Sequence, residues 1–498
     1  MCDVKTVADE LPSEDEAQAL FESFRDQNLK YFPFLHFKKT VTSKELREER
    51  PFLWLCIITV TTRLPKQQIA WGQRVRQAVA QKLINENEKN IEYFLGLLII
   101  LSWPSHYLGD RSFTSLMCQI AKALYFDLGL YTEPLASSSP LFRWKTAQEN
   151  GGKVKTLFQD PFPKSQLPRT MEQRRAIVAC YVITSIISDV IEKNDALRWS
   201  PHMNECLTIL DEQSEVPSDR ILAALTRIQL LSEEARSHTL QLNVSFDEFN
   251  NLRTPASTYA RLLQDRLQCI IRNLPPELQS ADIIISQIHY TELVIQEIAL
   301  PTRNKVDSSA SLPDIARLNS LYMCLHYIKA WFGHFYTIPP AAYYAISYPF
   351  FARLRLCFTS LYRLSILEDP VWDRMSARNT IDLITTLDEV GDRFMRAGNG
   401  AGSKSEVGVG NGFAKAAESI SVLKELCEIA LAPLDTSMDP AAALSCVAST
   451  DMLDTVALPP PPPPPPLAGG AGEVKGYQLG MNPTDWRWST DPFTSFDF

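Results

Sequence analysis

Two nearly unbroken apolar segments constrain the fold of this 498-residue chain more than any other feature. The segment PFLWLCIITV (51–60) opens with a proline, which the first turn of a helix tolerates. The segment IEYFLGLLIILSW (91–103) ends directly before another proline, which stops a helix. The longest apolar run, 94–103, is too short to cross a bilayer, which needs about 20 residues. Helices that are apolar on all sides are buried, so the rest of the chain must form a large body around them.

Helical spacing of apolar residues recurs along most of the chain. In AQALFESFRDQNLKYF (17–32) the apolar residues fall three or four positions apart, after a capping box formed by Ser13 and Glu16. Thr170 and Gln173 form a second capping box. No segment shows the convincing alternation that is typical of a strand. The sequence therefore predicts an all-α fold, namely a large multi-helix domain with flexible insertions and a disordered C-terminal tail.

Breaks in the helical pattern predict the domain organisation. We expect residues 1–13 to be a disordered N-terminus and residues 14–434 to form one helical domain. Two Gly-, Pro- and Ser-rich stretches predict a loop over 132–169 and a Gly-rich loop over 397–412. Residues 435–498 form a tail with eight acidic and two basic residues and no helical periodicity.

Charge and motif content argue against several classes of function. The formal net charge is −9 and no arginine- or lysine-rich run is present, so direct binding of nucleic acid by this chain is not expected. The ten cysteines include no C-x-x-C pair, and no metal, phosphate-loop or nucleophile motif appears. We therefore expect no cofactor, no catalytic or metal-ligating residues, and no membrane partner.

One aromatic stretch contains a candidate pocket for a small-molecule effector. His326 and His334 lie two helical turns apart, near Trp331 and Tyr336. The functional interpretation is a pocket with aromatic walls and polar tips. The alternative is an aromatic core whose polar tips are hydrogen-bonded, and the lack of a third metal ligand or carboxylate nearby in sequence favours it.

Short motifs recur in a fixed order between about residues 14 and 430. They include an Arg-Pro-Phe-Leu opening of a buried helix, an Asp-Leu-Gly-Leu helix end with a glycine cap, and an Arg-Arg pair before an apolar helix. In this order the chain resembles the middle regulatory domain of fungal zinc-binuclear-cluster (Zn(II)2Cys6) transcription factors. The residues that carry the resemblance are Phe34, Arg50, Pro51, Phe52, Leu53, Trp103, Asp127, Leu128, Gly129, Leu130, Arg174, Arg175 and Trp199.

The resemblance implies an all-α domain that modulates a transcription regulator in the nucleus, in some members by sensing a metabolite. The family binds DNA through a basic segment whose six cysteines hold two zinc ions. Residues 1–498 contain no counterpart of that segment, because the cysteine after Cys2 is Cys56. We therefore expect this chain to contact other proteins, either the transcription machinery or a DNA-binding partner.

The last segment, TDWRWSTDPFTSFDF (484–498), places large aromatic residues among acidic ones behind a polyproline spacer (459–466). We interpret it as an activation segment, because amphipathic segments of this kind become ordered in the grooves of partner proteins. One alternative is that the tail packs back onto the helical domain. Another is that the chain is a cytosolic, all-α scaffold that recruits partners through the polyproline stretch and the tail. The aromatic residues are Trp486, Trp488, Phe493, Phe496 and Phe498.

Overall fold

All regular structure in the described part of the chain is helical. The computed structural model describes residues 11–103, 111–132, 168–191, 196–244, 256–298, 315–367, 372–399 and 412–432. No strand occurs in these residues, which confirms the predicted all-α fold. The tail and most of both predicted loops lie outside the described residues, although the ends of the Gly-rich loop, 397–399 and 412, are helical.

The first half of the chain builds a core around its two all-apolar helices, α3 (Pro51–Thr61) and α5 (Ile91–Ser102), and a third helix, α7 (Met171–Val190). Leu53 of α3, Phe94 of α5 and Ile177 of α7 are completely buried in this core. A π-helical segment, Val79–Asn85, continues α4 (Pro65–Ala78). The helices of this half are α1 (Glu14–Asp26), α2 (Ser43–Glu49), α3 (Pro51–Thr61), α4 (Pro65–Ala78), α5 (Ile91–Ser102), α6 (Arg111–Asp127), α7 (Met171–Val190) and α8 (Pro201–Glu212).

The second half of the chain builds a core that is rich in aromatic rings. The ring of Trp331 lies 5.6 Å from that of Phe335 and 5.5 Å from that of Phe350, between ring centroids. Its helices are α9 (Pro217–Val244), α10 (Ala256–Asn273), α11 (Pro276–Gln279), α12 (Asp282–Glu297), α13 (Ile315–Thr337), α14 (Tyr348–Ile366), α15 (Arg374–Thr380), α16 (Leu383–Asn399) and α17 (Gly412–Leu431), with a 3-10 segment at Pro340–Ala345.

Helix α9 separates the two cores and contributes to both. Leu222 packs into the first core, whereas Leu225 and Ile228 pack into the second. Consecutive side chains on a helix are rotated by about 100°, and Ala223 lies in the first core whereas Ala224 lies in the second, so one helix lines two apolar clusters at once. The two halves of the chain therefore form one packed body.

Two long-range hydrogen bonds also join the halves. The Trp103 indole Nε1 donates to the carbonyl oxygen of Ala345 at 2.9 Å, across 242 positions of sequence. The Ser347 hydroxyl donates to the carbonyl oxygen of Tyr31 at 3.2 Å. Both hydrogen bonds are buried, where an unpaired polar group would be costly. They fix Tyr31 and the end of α5 against the segment that connects α13 to α14.

Several helix ends form as the sequence predicts. The Ser13 hydroxyl accepts the Glu16 N–H at 3.2 Å. Thr170 and Gln173 form the complete reciprocal capping box at the start of α7. These caps satisfy N–H groups that the first turn of a helix leaves without a partner.

Gly129 ends α6 in a left-handed conformation, with φ of +63°. The Leu130 N–H donates to the Tyr125 carbonyl at 3.0 Å, and the Gly129 N–H donates to the Phe126 carbonyl at 2.9 Å. These two bonds make a Schellman motif, in which glycine is favoured because it has no Cβ.

Candidate functional site

Arg50 and Pro51 attach the start of α3 to α7. The Arg50 guanidinium donates to both carboxylate oxygens of Glu172, at 2.6 and 3.2 Å. This hydrogen-bonded pairing raises the pKa of Arg50. Pro51 occupies the first turn of α3, where its missing N–H leaves no bond unmade. The Arg-Pro pair therefore sets the position of a buried helix.

Glu92 of α5 caps the first turn of α3. Its Oε1 accepts the N–H groups of Phe52 at 2.6 Å and of Leu53 at 3.1 Å. A carboxylate at a helix N-terminus is also favoured by the helix dipole. The Phe52 ring packs against Tyr93 (4.8 Å between centroids) and over Gly96. The sequence analysis did not single out Glu92, because it lies 40 positions from the helix that it caps.

The Asp-Leu-Gly-Leu helix end is also held by packing and charge. The Asp127 carboxylate pairs with the Lys89 ammonium at 2.7 Å. Leu130 is buried in the first core and Leu128 packs against it. These contacts fix the end of α6 against the start of α5.

Arg169 binds the turn that follows α6, a role that the sequence analysis did not assign. Its Nη2 donates to the carbonyl oxygens of Gly129 and Thr132, the second at 2.5 Å. Its Nε donates to His202 Nε2 at 3.1 Å. Burial lowers the pKa of both Arg169 and His202, so the histidine is the neutral acceptor in this bond.

The Arg174–Arg175 pair makes interhelical contacts. Arg174 Nη1 lies 3.8 Å from the Cys206 sulfur. Arg175 donates from Nε to Asp219 Oδ1 at 2.6 Å and from Nη2 to Glu215 Oε2 at 2.8 Å. The guanidinium of Arg175 is turned away from solvent, with 5% of the side chain exposed.

Two aromatic markers of the resemblance also take part in packing. Trp199 lies edge-on to Tyr181, with 4.6 Å between centroids. Phe34 is completely buried and stacks on Trp103 at 6.2 Å. The markers other than Pro51, which is exposed at the start of α3, contact a second element in the described residues. A shared structural role for the whole set stays a prediction.

The four side chains of the candidate effector pocket do not all face the same element, although Trp331 and His334 both contact α12. The Trp331 indole donates to the Ser286 hydroxyl at 2.9 Å within the second core. His334 Nε2 lies 3.1 Å from the Asp282 carbonyl oxygen, and burial lowers the pKa of His334. His326 is exposed.

Tyr336 faces a different helix again, because the Arg393 guanidinium lies 4.7 Å above its ring. Two cavities lie elsewhere in the described residues, one beside the end of α1 and one beside Asp189 and Tyr290. None of the four candidate side chains lines either cavity. A pocket formed jointly by the four residues stays a prediction, and the described contacts match the alternative of a hydrogen-bonded aromatic core.

A groove of about 470 Å³ lies between the end of α1, the segment after it, and the starts of α9 and α12. Its floor is apolar and its rim carries both charges. The Lys30 ammonium pairs with Asp282 at 2.8 Å and forms part of the rim. No single motif marked this groove in the sequence. The lining includes Arg25, Leu29, Lys30, Leu35, Ile221 and Asp282.

The described residues offer neither a cluster of metal ligands nor a helix that could span a membrane. No group of three or more His, Cys, Asp or Glu side chains in them is placed to hold a metal ion. None of the helices in the same residues is long and apolar enough to cross a membrane.

Comparison with known proteins gives related transcription factors. The opdL transcription factor of Penicillium oxalicum is 32% identical over 411 residues, which cover 82% of this chain and 70% of that protein. A transcription factor of Aspergillus terreus is 27% identical over 400 residues, covering 76% of this chain and 55% of that protein. The himD transcription factor of Aspergillus japonicus is 22% identical over 292 residues, which cover 57% of this chain and 45% of that protein.

A family model also matches part of the second core. The model is described as ATEG07667_C, C-terminal domain, and it matches residues 340–456. No solved structure gives a significant match. The chain spans about half the length of the Aspergillus relatives.

The all-helical fold and the similarity to named transcription factors identify the class of this protein as a regulator of transcription. The chain belongs to the family of fungal transcription factors that includes opdL. This confirms the family resemblance that the order of its motifs indicates.

Proposed function

We propose that residues 14–434 form a regulatory domain that acts in the nucleus through contacts with other proteins. The observation that carries this proposal is the 32% identity with the opdL transcription factor over 411 residues. The partners we propose are the transcription machinery or a DNA-binding protein, and the role we assign to residues 1–498 is protein contact rather than DNA contact. The acidic net charge of −9 supports that assignment, because DNA-binding surfaces are basic.

The groove beside α1 is the surface that we propose for such a contact. Leu29 and Leu35 on its floor are buried, whereas Lys30 on its rim is exposed. An apolar floor with charged edges fits an amphipathic segment of a partner, whose apolar side chains enter the groove. Its volume of about 470 Å³ also lies in the range of small-molecule sites, about 300–1,000 Å³. We therefore propose the same groove for a small-molecule effector.

The tail over residues 435–498 is the activation segment in this proposal. Eight acidic residues keep it hydrated, and the aromatic residues of 484–498 supply apolar anchors. Segments of this composition gain order only when a partner covers their apolar side chains. The polyproline stretch (459–466) would act as a spacer between the anchors and the helical body.

A reporter assay tests the activation segment. Residues 467–498 are fused to an unrelated DNA-binding domain, and transcription from its operator is measured. We expect activation by the fusion, and loss of most of it when Trp486, Trp488, Phe493 and Phe496 are changed to alanine.

The matched control changes four hydroxyl residues of the same segment to alanine and should keep the activity. No signal from the parent fusion, or equal signals from both variants, would count against an activation segment built on aromatic anchors. Binding of the fusion to the isolated helical domain would instead favour the alternative in which the tail packs back onto that domain. The control positions are Thr484, Ser489, Thr490 and Thr494.

A further inference from the structure

The outer face of α17 carries an apolar stripe that is exposed in the described part of the chain. Val422 and Ile429 are 49% and 41% exposed, and a spacing of seven positions places them on one face of a helix. Leu426, which is half-buried, lies between them. The opposite face of α17 packs into the second core through Leu423 and Cys427. In the described residues, α17 is thus buried on one side and open on the other.

The two edges of this stripe differ in charge. A helix turns by about 100° per residue, so Glu418 and Glu425 border one edge, whereas Ser419 and Ala430 border the other. The exposed Lys415 stands at the N-terminal end of the stripe. A segment that covers the stripe should therefore be apolar where it passes the middle of α17, and acidic only where it passes Lys415.

The chain that follows α17 is the occupant that the family match favours. The matched residues, 340–456, continue well past the end of α17 at Leu431. The match stops shortly before the polyproline stretch (459–466) begins. Domain boundaries fall in linkers rich in proline and glycine, so the polyproline stretch is a better boundary of the helical body than the end of α17.

Residues 439–456 have features of a short helix. Asp439 and Pro440 are residues preferred at the N-cap and in the first turn, and three alanines, which are strong helix formers, follow them. Leu444 and Met452 lie eight positions apart with an alanine midway, so all three would share one face. Alanine and serine fill many of the other positions, which makes this pattern weaker than those of the described helices.

The dimensions fit an antiparallel pairing with α17. A helix over residues 439–456 would be about 27 Å long, and α17 with its 20 residues is about 30 Å long. Residues 432–438 leave a connection of the length that joins antiparallel helices in bundles. In this orientation Asp451 and Asp454, near the end of the segment, pass the exposed Lys415 at the start of α17. Opposite charges therefore meet.

We propose that residues 439–456 form a helix that docks antiparallel on the outer face of α17. Leu444 then covers Ile429, and Met452 covers Val422. The segment lies towards the edge of the stripe that is free of glutamate, because its own charged residues are all acidic.

This contact extends the helical body to the start of the polyproline stretch. Residues 435–456, which the sequence analysis assigned to the tail, belong to the body in this arrangement. The part that stays free to meet partners is residues 457–498, which contains all the aromatic anchors of the proposed activation segment. The contact does not rest on the activation role, because it concerns residues before the polyproline stretch.

Hydrogen–deuterium exchange of the full chain tests the contact. The amides of residues 444–456 should exchange on the order of tenfold more slowly than their intrinsic rates, because packing holds their helical hydrogen bonds closed. Residues 467–476 of the Gly-rich tail should exchange at intrinsic rates. Val422→Ser combined with Ile429→Ser should remove most of the protection. The matched control is Leu262→Ser, a position on α10 that is 53% exposed, and it should leave the protection unchanged.

A second set of variants changes the segment instead of α17. Leu444→Ser combined with Met452→Ser should remove the same protection, whereas Leu479→Ser in the free tail should not. Exchange of residues 444–456 at intrinsic rates in the wild type, or protection that survives both double variants, would overturn the proposal. A change from dimer to monomer in the α17 variant would also overturn it, because the stripe would then be an interface between two copies of the chain.

Discussion

Arg175 of α7 and Asp219 of α9 form a bidentate ion pair that is almost completely removed from water. Nε lies 2.6 Å from Oδ1 and Nη2 lies 3.0 Å from Oδ2. The exposed fractions of the two side chains are 5% and 0%. The Asp219 carboxylate also accepts the N–H of Glu215 at 3.0 Å, so the pair fixes the start of α9, the helix shared by both cores.

Replacing Arg175 with methionine should therefore strongly destabilise the helical body. The change leaves a buried carboxylate without its counter-charge, which costs about 3–5 kcal/mol. Denaturant unfolding followed by circular dichroism measures the loss. The control is Arg227→Met, which breaks a pair with Asp211 whose side chains are 39% and 33% exposed, and should cost about 0–1 kcal/mol. Equal losses in the two variants would contradict this account of the junction.

Replacing Gly96 with alanine should overpack the contact between α5 and α3. The added Cβ would lie 2.5 Å from Cε1 of Phe52, and overpacking of a tight core costs about 1–3 kcal/mol. Gly333→Ala is the control, because a Cβ at that exposed helical position meets nothing within 4 Å. It should stabilise the protein by about 0.5–1 kcal/mol. Thermal unfolding checks that Gly96→Ala lowers the stability of the protein and that Gly333→Ala raises it.

Replacing Gly129 with alanine should destabilise the protein although there is space for the methyl group. Its φ is +63° and no atom lies within 4 Å of an added Cβ, so the effect isolates backbone strain, about 1–2 kcal/mol. Gly129→Asn should cost less, because asparagine adopts this conformation more readily. A thermal midpoint that is the same for alanine and glycine would rule out strain at this helix end.

Glu233 of α9 should make stability depend on pH near neutrality. Burial raises its pKa from 4.5 to about 7, and Tyr181 donates a hydrogen bond to it. Between these two values the folded state holds a proton that the unfolded state has lost, so stability falls as pH rises through this window. Across this pH range the free energy of unfolding of the wild type should fall by on the order of 1–3 kcal/mol relative to that of Glu233→Gln. Parallel pH profiles of the two proteins would contradict the prediction.

Much of the architecture follows from the sequence, because helices are local structures. The apolar period and the caps at Ser13, Thr170 and Gly129 predict α1, the start of α7 and the end of α6. The sequence analysis did not predict α2, nor the π-helical continuation of α4 over Val79–Asn85. A change of helical pitch depends on packing, and the apolar pattern alone does not encode it.

The polar contacts could not be predicted, because they join residues far apart in sequence. Glu92 caps a helix 40 positions away, and Asp219 lies 44 positions from Arg175. The aromatic stretch of α13 likewise shows that sequence alone did not reveal which side chains meet in space. Helical geometry turns Trp331 towards α12 and Tyr336 towards α16, so closeness in sequence did not place those side chains together.

The most direct test of the central claim is to bring the whole chain to a promoter. Residues 1–498 are fused to an unrelated DNA-binding domain, and reporter output is measured together with occupancy of the operator. The account predicts a several-fold change in output relative to the DNA-binding domain alone, and loss of activation when residues 435–498 are removed. An occupied operator with unchanged output would contradict the claim that this chain regulates transcription through protein contacts.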